Sequence, residues 1–368
     1  MPTRSSDVTR DPRTVVGVDG SGHSWNAVLW GAAEAKRHGQ SLLLVHAADL
    51  DRLDRFASFE TSEHVRDAGH AVLTRTADGV RQRFPGLDVQ VKLSRRKPVP
   101  ALHAAVRPGS TIVVGSRGSG GFGPLLLGST GLEVVIGSPA PVVVVRGDLE
   151  RAGAAVTAAV RDEDDARWLV RAAQQARARD CPLRLVNVRS LAARFGGGTE
   201  WAAETEQAGG TAWAEETGGT EQAGGTGEAE RTAEASGTGD TRDIGPARGP
   251  GPAGEPEAAP LGGTSHGEGP EDRLLAGLAS RMRAEVPGLV VRTEVIAARS
   301  AASALVEASR SADLLVMGSH ERRGYSVLGL GHVAHALLHH AHCPVEIVPY
   351  RRNYESGVVE EGLTDDEG

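Results

Sequence analysis

The stretch Val113-Val114-Gly115-Ser116-Arg117-Gly118, then nine residues from Ser119 to Leu127, then Gly128-Ser129, restricts most what this chain can fold into. It reads as an apolar strand, a glycine loop and a helix start. Glycines let backbone N–H groups approach an anion without Cβ clashes. A helix beginning near Gly128 aims its unpaired N–H groups and the positive end of its dipole at the same place. The stretch therefore reads as a phosphate cradle. Ser129 adds a hydroxyl that either donates to a phosphate oxygen or caps the helix, two uses the sequence does not separate.

Two familiar phosphate patterns fail here. Gly118-x-Gly120-x-x-Gly123 fits the dinucleotide fingerprint by letter, but that fingerprint belongs on a first strand–helix turn with an acid about 20 residues on, and here it follows the fourth strand. A P-loop or kinase-like lysine is missing, since no Gly-Lys-Ser/Thr occurs in the chain. What remains is G-x-x-G-x9-G-S, carried by Gly115, Gly118, Gly128 and Ser129, and it resembles the ATP-binding motif of the universal stress protein family. The resemblance runs from Ile112 to Arg146 and includes Ala140-Pro141-Val142-Val143-Val144-Val145.

Around this stretch, residues 13–147 read as one α/β domain after a polar N-terminus, 1–12, expected to be disordered. Thr14 to Val18 is a short apolar run suited to a strand buried on both faces, and it ends in Asp19-Gly20-Ser21. Ser24 is a plausible N-cap for the helix that follows, which Gly39 stops. Ser41 to His46 is the second strand. After a polar stretch, Val65, Ala68, Val72 and Val80 mark a long helix up to Phe84-Pro85-Gly86. Asp88 to Leu93 alternates as a half-exposed edge strand, and Pro98 opens the next helix. Five strands alternating with helices argue for a parallel sheet covered on both faces.

The family resemblance implies the strand order 3-2-1-4-5, with the ligand crevice between the ends of strands 1 and 4. It also implies that Asp19 accepts a hydrogen bond from adenine or ribose, that the Val45 backbone contacts the base, and that ATP is the ligand, with magnesium left open. Ser21 is added as a neighbouring hydroxyl. Arg95-Arg96-Lys97 stands where the family more often has a Gly-acid-Pro turn, and reads as a solvated basic turn.

Residues 153–350 repeat the pattern. Pro287-Gly288-Leu289 echoes Pro85-Gly86-Leu87, Leu314 to Gly318 echoes the fourth strand, and Cys343 to Val348 the fifth. The fold class is thus α/β: two tandem five-stranded parallel-sheet domains with helices on both faces. Residues 196–270 form an insertion of another character, with Thr205-Glu206-Gln207-Ala208-Gly209-Gly210-Thr211 recurring as Thr220 to Thr226. Few apolar residues among many Gly, Glu, Thr and Pro cannot offset the entropy of ordering the chain, so this segment is expected to be disordered. The acidic tail, 351–368, is expected to fray.

The second cradle departs from the motif. Gly318 and Gly331 remain, but Glu321 replaces the second glycine and His332 the serine, and Val160-Arg161-Asp162-Glu163 offers no clean match to Asp19. A carboxylate beside a phosphate is repulsive, so the expectation is one nucleotide per chain, in the first half. His332, His335 and His339 recur at helical spacing with His340 and His342 nearby. No carboxylate or cysteine completes a ligand shell, so no metal is assigned.

A net charge of -8 argues against a general nucleic-acid binder. No apolar run reaches the roughly 18 residues of a membrane span, and the start has no signal-like core, which leads to a cytoplasmic expectation. Cys181 and Cys343 read as small buried thiols rather than a disulfide. The function expected is an ATP-binding regulatory or stress-response protein without dedicated catalytic residues. The two fifth strands resemble the edges through which family members dimerise, so the halves are expected to pair within one chain, with a homodimer left open. The alternatives are an ATP-dependent hydrolase or adenylate-forming enzyme of related fold, and a nucleotide-free interaction scaffold.

Overall fold

In the computed structural model, residues 11–116, 128–147, 153–191, 269–319 and 330–349 are described. Gly118, Glu321 and the tail lie outside them, as does the insertion up to residue 268. The described residues belong to one unit, made of Met1–Leu191 and Thr264–Gly368.

The first half runs β1 (Arg13–Gly17), α1 (Gly22–His38), β2 (Ser41–Ala47), α2 (Leu50–Phe56), α3 (Phe59–Arg83), β3 (Val89–Ser94), α4 (Pro98–His103), β4 (Thr111–Gly115), α5 (Ser129–Val135) and β5 (Val142–Val145). The second runs β6 (Ala155–Ala159), α6 (Ala166–Ala178), β7 (Leu183–Ser190), α7 (Pro270–Glu285), β8 (Val291–Ala298), α8 (Ala301–Ala308), β9 (Ala312–Ser319), α9 (His332–His340) and β10 (Val345–Pro349). Together the strands form a ten-stranded sheet in the order β3-β2-β1-β4-β5-β10-β9-β6-β7-β8. Each half therefore has the order 3-2-1-4-5, parallel throughout. The two sheets meet at β5 and β10, which pair antiparallel with Val144 opposite Val345 and Val143 opposite Glu346.

Strands buried on both faces split their side chains between two layers. Val16, Val113 and Val143 point into one with α1, α3, α6 and α7, while Val15, Ile112, Val114 and Val144 point into the other with Leu102, Val134 and Leu337. Each layer runs unbroken across both halves, so apolar burial as well as strand pairing joins them.

Charges reinforce the join. Glu34 on α1 and Arg179, just past α6, pair at 2.8 Å with both side chains buried, and Arg179 also reaches Asp313 at 3.0 Å. Buried Glu346 pairs with Arg171 at 2.8 Å, and Arg171 donates to Thr111 of the other half at 2.8 Å.

Local details correct three expectations. Ser21, not Ser24, is the N-cap of α1: its hydroxyl accepts the Ser24 N–H at 3.1 Å, and the Ser24 hydroxyl turns back to the Ser21 carbonyl. The polar stretch before the long helix holds α2, anchored by buried Leu50. Pro270 belongs to α7 as its first residue rather than to the insertion, a place where its missing N–H costs nothing. Among the described residues no helix is long and apolar enough to cross a membrane.

Candidate functional site

β1 and β4 are neighbours, with Val16 beside Val113, and their carboxyl ends open a crevice where the winding of the sheet reverses. The chain leaves β1 in a tight series of bonds. The Val18 N–H still donates to the Val45 carbonyl at 2.9 Å, while the Val18 carbonyl, past the last paired residue, accepts from Nδ1 of His46 at 2.7 Å. Asp19 then folds its Oδ1 onto the Ser21 N–H at 2.9 Å, an Asx turn, and Gly20 supplies the positive φ of 84° the turn needs. The Asp19 N–H lies 3.4 Å from the Ser24 hydroxyl.

At the end of β4, Ser116 donates its N–H to Val145 at 3.1 Å and accepts the Gly128 N–H at 2.9 Å. The two ends of the 117–127 stretch are thereby tied together. Gly128 is the N-cap of α5, with extended φ and ψ of -62° and 144° and no side-chain cap, and the first turn of α5 has no acid. Since Gly128 occupies the cap, Ser129 is the exposed first residue of the helix and its hydroxyl is not the cap. With no side chain on the cap and no acid in the first turn, nothing local competes with an anion for the unpaired N–H groups of this helix start.

The structure sorts the residues singled out by sequence. Asp19, Ser21, Gly115, Gly128 and Ser129 lie at the ends of β1 and β4 or on the helices that follow them. The glycine at 115 answers to packing: a Cβ there would come within 2.7 Å of the His23 carbonyl oxygen, so it admits the start of α1. Ser21 spends its oxygen on the cap. Val45 is a buried ladder residue opposite Gly17, and its carbonyl accepts from the Val18 N–H. Gly118 lies outside the described residues. His46 and Ser24 are the contributors that sequence reasoning missed. Aligning the two halves would have marked the first, because Val45-His46 recurs as Val186-Asn187.

The second half repeats the frame and changes its contents. Val160 donates to Val186 at 2.8 Å, as Val18 does to Val45, and Asn187 Nδ2 donates to the Val160 carbonyl at 3.0 Å, as His46 does to Val18. Arg161 therefore stands where Asp19 stands, with the opposite charge. Buried Asp165 gathers the N–H groups of Arg161 (2.6 Å) and Asp162 (3.3 Å) and the indole N–H of Trp168 (2.7 Å). That indole lies against Gly318 at the end of β9, where a Cβ would come within 2.5 Å of Nε1. At this strand end an indole of the second half therefore lies where, in the first, the backbone of α1 approaches Gly115. Gly331 keeps the extended cap geometry, φ -68° and ψ 155°, with His332 in the place of Ser129.

The same alignment runs along the first helices. The buried positions Ala27, Val28, Gly31, Ala32, Glu34 and Ala35 recur as Trp168, Leu169, Ala172, Ala173, Gln175 and Ala176. By that register Trp25 corresponds to Ala166. Trp25 packs on Gly79 of α3, whereas Ala166 helps line an open groove of about 660 Å³ between α6 and α7, with Leu274, Leu278 and Arg281.

The remaining candidates take ordinary places. Arg95, Arg96 and Lys97 form an exposed turn, in which Arg95 pairs with Asp51 at 3.0 Å and with Asp54 on α2. His335 and His339 stack with ring centroids 4.3 Å apart, and burial, then His335, His340 and Arg146, pull His339 down to about 4. Among the described residues no group of three or more His, Cys, Asp or Glu could hold a metal. Cys181 and Cys343 are free thiols, and burial pushes Cys343 up to about 12.

The universal stress protein family model matches residues 12–146 and 247–349. A universal stress protein of Mycolicibacterium smegmatis is 33% identical over 132 residues, 36% of this chain and 45% of that protein. One of Mycobacterium tuberculosis is 35% identical over 137 residues, 36% of this chain and 43% of that protein. The chain thus spans less than half the length of these curated relatives in the matched region. A universal stress protein from Archaeoglobus fulgidus has a crystal structure of similar fold, with TM-score 0.58 and 15% identity over 92% of this chain and 98% of that one. A doubled 3-2-1-4-5 sheet and a family match over both halves lead to one conclusion: this chain belongs to the universal stress protein family.

Proposed function

We propose that the first half binds an adenine nucleotide, ATP, in the crevice between β1 and β4, and that the second half binds none. The carrying observation is the contrast between the crevices. In the first, Gly115 at the end of β4 lies against the backbone of α1, Asp19 closes the β1 turn, and α5 begins with a glycine cap, a serine and no acid in its first turn. In the second, the Trp168 indole lies on Gly318, Arg161 replaces Asp19, and four acids, Asp162 to Asp165, follow. Such a cluster repels a triphosphate.

In the first crevice Gly115 to Ser129 would take the phosphates, with magnesium as their counter-ion, and Asp19 the ribose or base. No nucleophile paired with a base accompanies them among the described residues. The reading is therefore a regulatory binding protein of the cytoplasm that holds nucleotide without dedicated turnover, the bound state biasing its contacts with partners. Because β5 and β10 already pair with each other, a homodimer would use another surface.

Calorimetric titration tests the reading. One ATP per chain is expected, with a thermal upshift that grows with ligand and is lost in Gly118→Glu. Two nucleotides per chain would overturn the assignment to the first half. No binding at millimolar ATP would overturn the reading altogether, and multiple-turnover release of AMP or pyrophosphate would replace it with an enzyme.

A further inference from the structure

We propose that His46 is a positioning residue of the first crevice, one that sets the peptide carrying Asp19 by donating a hydrogen bond to the Val18 carbonyl. The proposal rests on the nucleotide reading above and adds to it a residue outside the glycine motif.

Three observations carry it. First, Nδ1 of His46 lies 2.7 Å from the Val18 oxygen, and a carbonyl only accepts, so Nδ1 holds the proton. β1 ends at Gly17, and the ring supplies a donor to the carbonyl immediately beyond. Fixing that carbonyl fixes the plane of the Val18–Asp19 peptide, and with it the Asp19 N–H that faces Ser24.

Second, α3 is shaped to admit the ring. A Cβ at Gly69 would come within 2.9 Å of His46 Cδ2 and 2.7 Å of Leu93, so a side chain there would press on both the imidazole and Leu93. Third, the second half builds the same brace from a different residue: Asn187 Nδ2 donates to Val160 at 3.0 Å and approaches the Arg161 carbonyl at 3.4 Å. Two unlike side chains, at matching positions, making the same bond to the same backbone oxygen point to the bond itself as the constraint. The constraint is assigned to a ligand in the first half alone, because there the braced peptide leads to Asp19 and in the second half to Arg161.

The test compares His46→Leu, which keeps bulk and removes the donor, with His46→Asn, which restores the donor used at position 187. His46→Leu is expected to bind ATP about tenfold more weakly, the loss of one well-placed hydrogen bond, and to shift the backbone amide resonance of Asp19 in the ligand-free protein. His46→Asn is expected to recover both. Asn187→Leu is the control and is expected to leave ATP affinity unchanged. If the native protein binds ATP and His46→Leu binds equally well, or if His46→Asn is as weak as His46→Leu, the positioning role falls while the nucleotide site stands. If the native protein fails to bind ATP, the site reading falls and takes this one with it. An unmoved Asp19 resonance in His46→Leu overturns the brace whatever the affinities.

Discussion

The two halves of this chain differ most usefully in where each places one tryptophan. In the first, Trp25 on α1 packs on Gly79 of α3, and the small residue Ala27 is buried two positions on. In the second, Ala166 stands at the first of these positions and Trp168 at the second, against Gly318. A shift of two positions along a helix is a turn of about 200°, nearly the opposite face. The matched strand ends thus meet different groups, the α1 backbone at Gly115 and an indole at Gly318, and the α6–α7 groove lies beside Ala166 where in the first half Trp25 packs on Gly79. The lesson is that a duplicated fold can keep its strand order, its turn hydrogen bonds and its buried pattern while a single large side chain changes what lies against the end of a strand.

The largest expected effect comes from removing that side chain. Trp168 is buried and bonded to Asp165, so Trp168→Ala should destabilise the protein by about 3–5 kcal/mol, measured by denaturant unfolding. The ATP stoichiometry should stay at one, because Arg161 and the acids beside it remain. A second ATP bound by this variant would show that the indole alone is what distinguishes the crevices.

Slightly smaller is the effect at the seam, where the halves differ at another matched pair, Glu34 and Gln175. Burial by itself would raise the Glu34 carboxyl, but the hydrogen bond from His38 and the charges of Arg179, His38 and Arg37 outweigh it and hold it well below the usual range. A carboxyl lowered on folding contributes stability that is complete above the ordinary value of about 4.3 and is lost as pH falls through and below it. Stability measured from about pH 6 down to about pH 3 should therefore fall more steeply in the native protein than in Glu34→Gln, which copies Gln175. Glu34→Ala should cost about 3 kcal/mol near neutral pH, since it leaves buried Arg179 with Asp313 as its remaining acid.

How much of this was legible beforehand follows from the range of each interaction. Runs such as Thr14–Val18 and Leu314–Gly318 announced strands buried on both faces, and the repeat of Pro-Gly-Leu at 85 and 287 announced the duplication, because both are local patterns. Ser24 reads as the cap as well as Ser21 does, since both are serines three apart, and only the folded helix start decides between them. α2 leaves little signal because its one buried residue, Leu50, sits in a polar run whose partner Arg95 is more than 40 residues away. In the site, the glycines stand out by their spacing, and Asp19 is singled out by the family resemblance. His46 shows only when the two halves are aligned, since its bond to Val18 depends on strand pairing, and the Trp168 contact with Gly318 depends on the face of a helix.

The glycines that end β4 and β9 extend the comparison at moderate scale. A methyl at Gly115 would meet the His23 carbonyl oxygen and the Ser24 nitrogen, main-chain atoms that cannot step aside without moving α1. Gly115→Ala should cost about 2 kcal/mol, measured by denaturant unfolding, and weaken ATP together with stability. A methyl at Gly318 would meet the indole of Trp168, a side chain, and should cost stability without touching the nucleotide. Equal loss of ATP affinity in both variants would mean that the glycines act through the fold in general and not through the crevice beside each.

The smallest effect tests how the turn after the first strand is built in each half. Ser21 caps α1 through a single hydroxyl, with Asp19 folded onto the Ser21 main-chain N–H, whereas the second half uses two side chains: Asp162 accepts from the Asp164 N–H and Asp165 from that of Asp162. Removing the one hydroxyl takes away a partly exposed cap, so Ser21→Ala should lower stability by about 1 kcal/mol. The bond from the Ser21 N–H to Asp19 survives the substitution, because it needs only the backbone. ATP affinity should accordingly change little, and a calorimetric titration beside the unfolding curve separates the outcomes. A large loss of affinity with a small loss of stability would assign the Ser21 hydroxyl to the nucleotide instead of to the helix, and would make the first turn, and not the tryptophan register, the feature that sets the two halves apart.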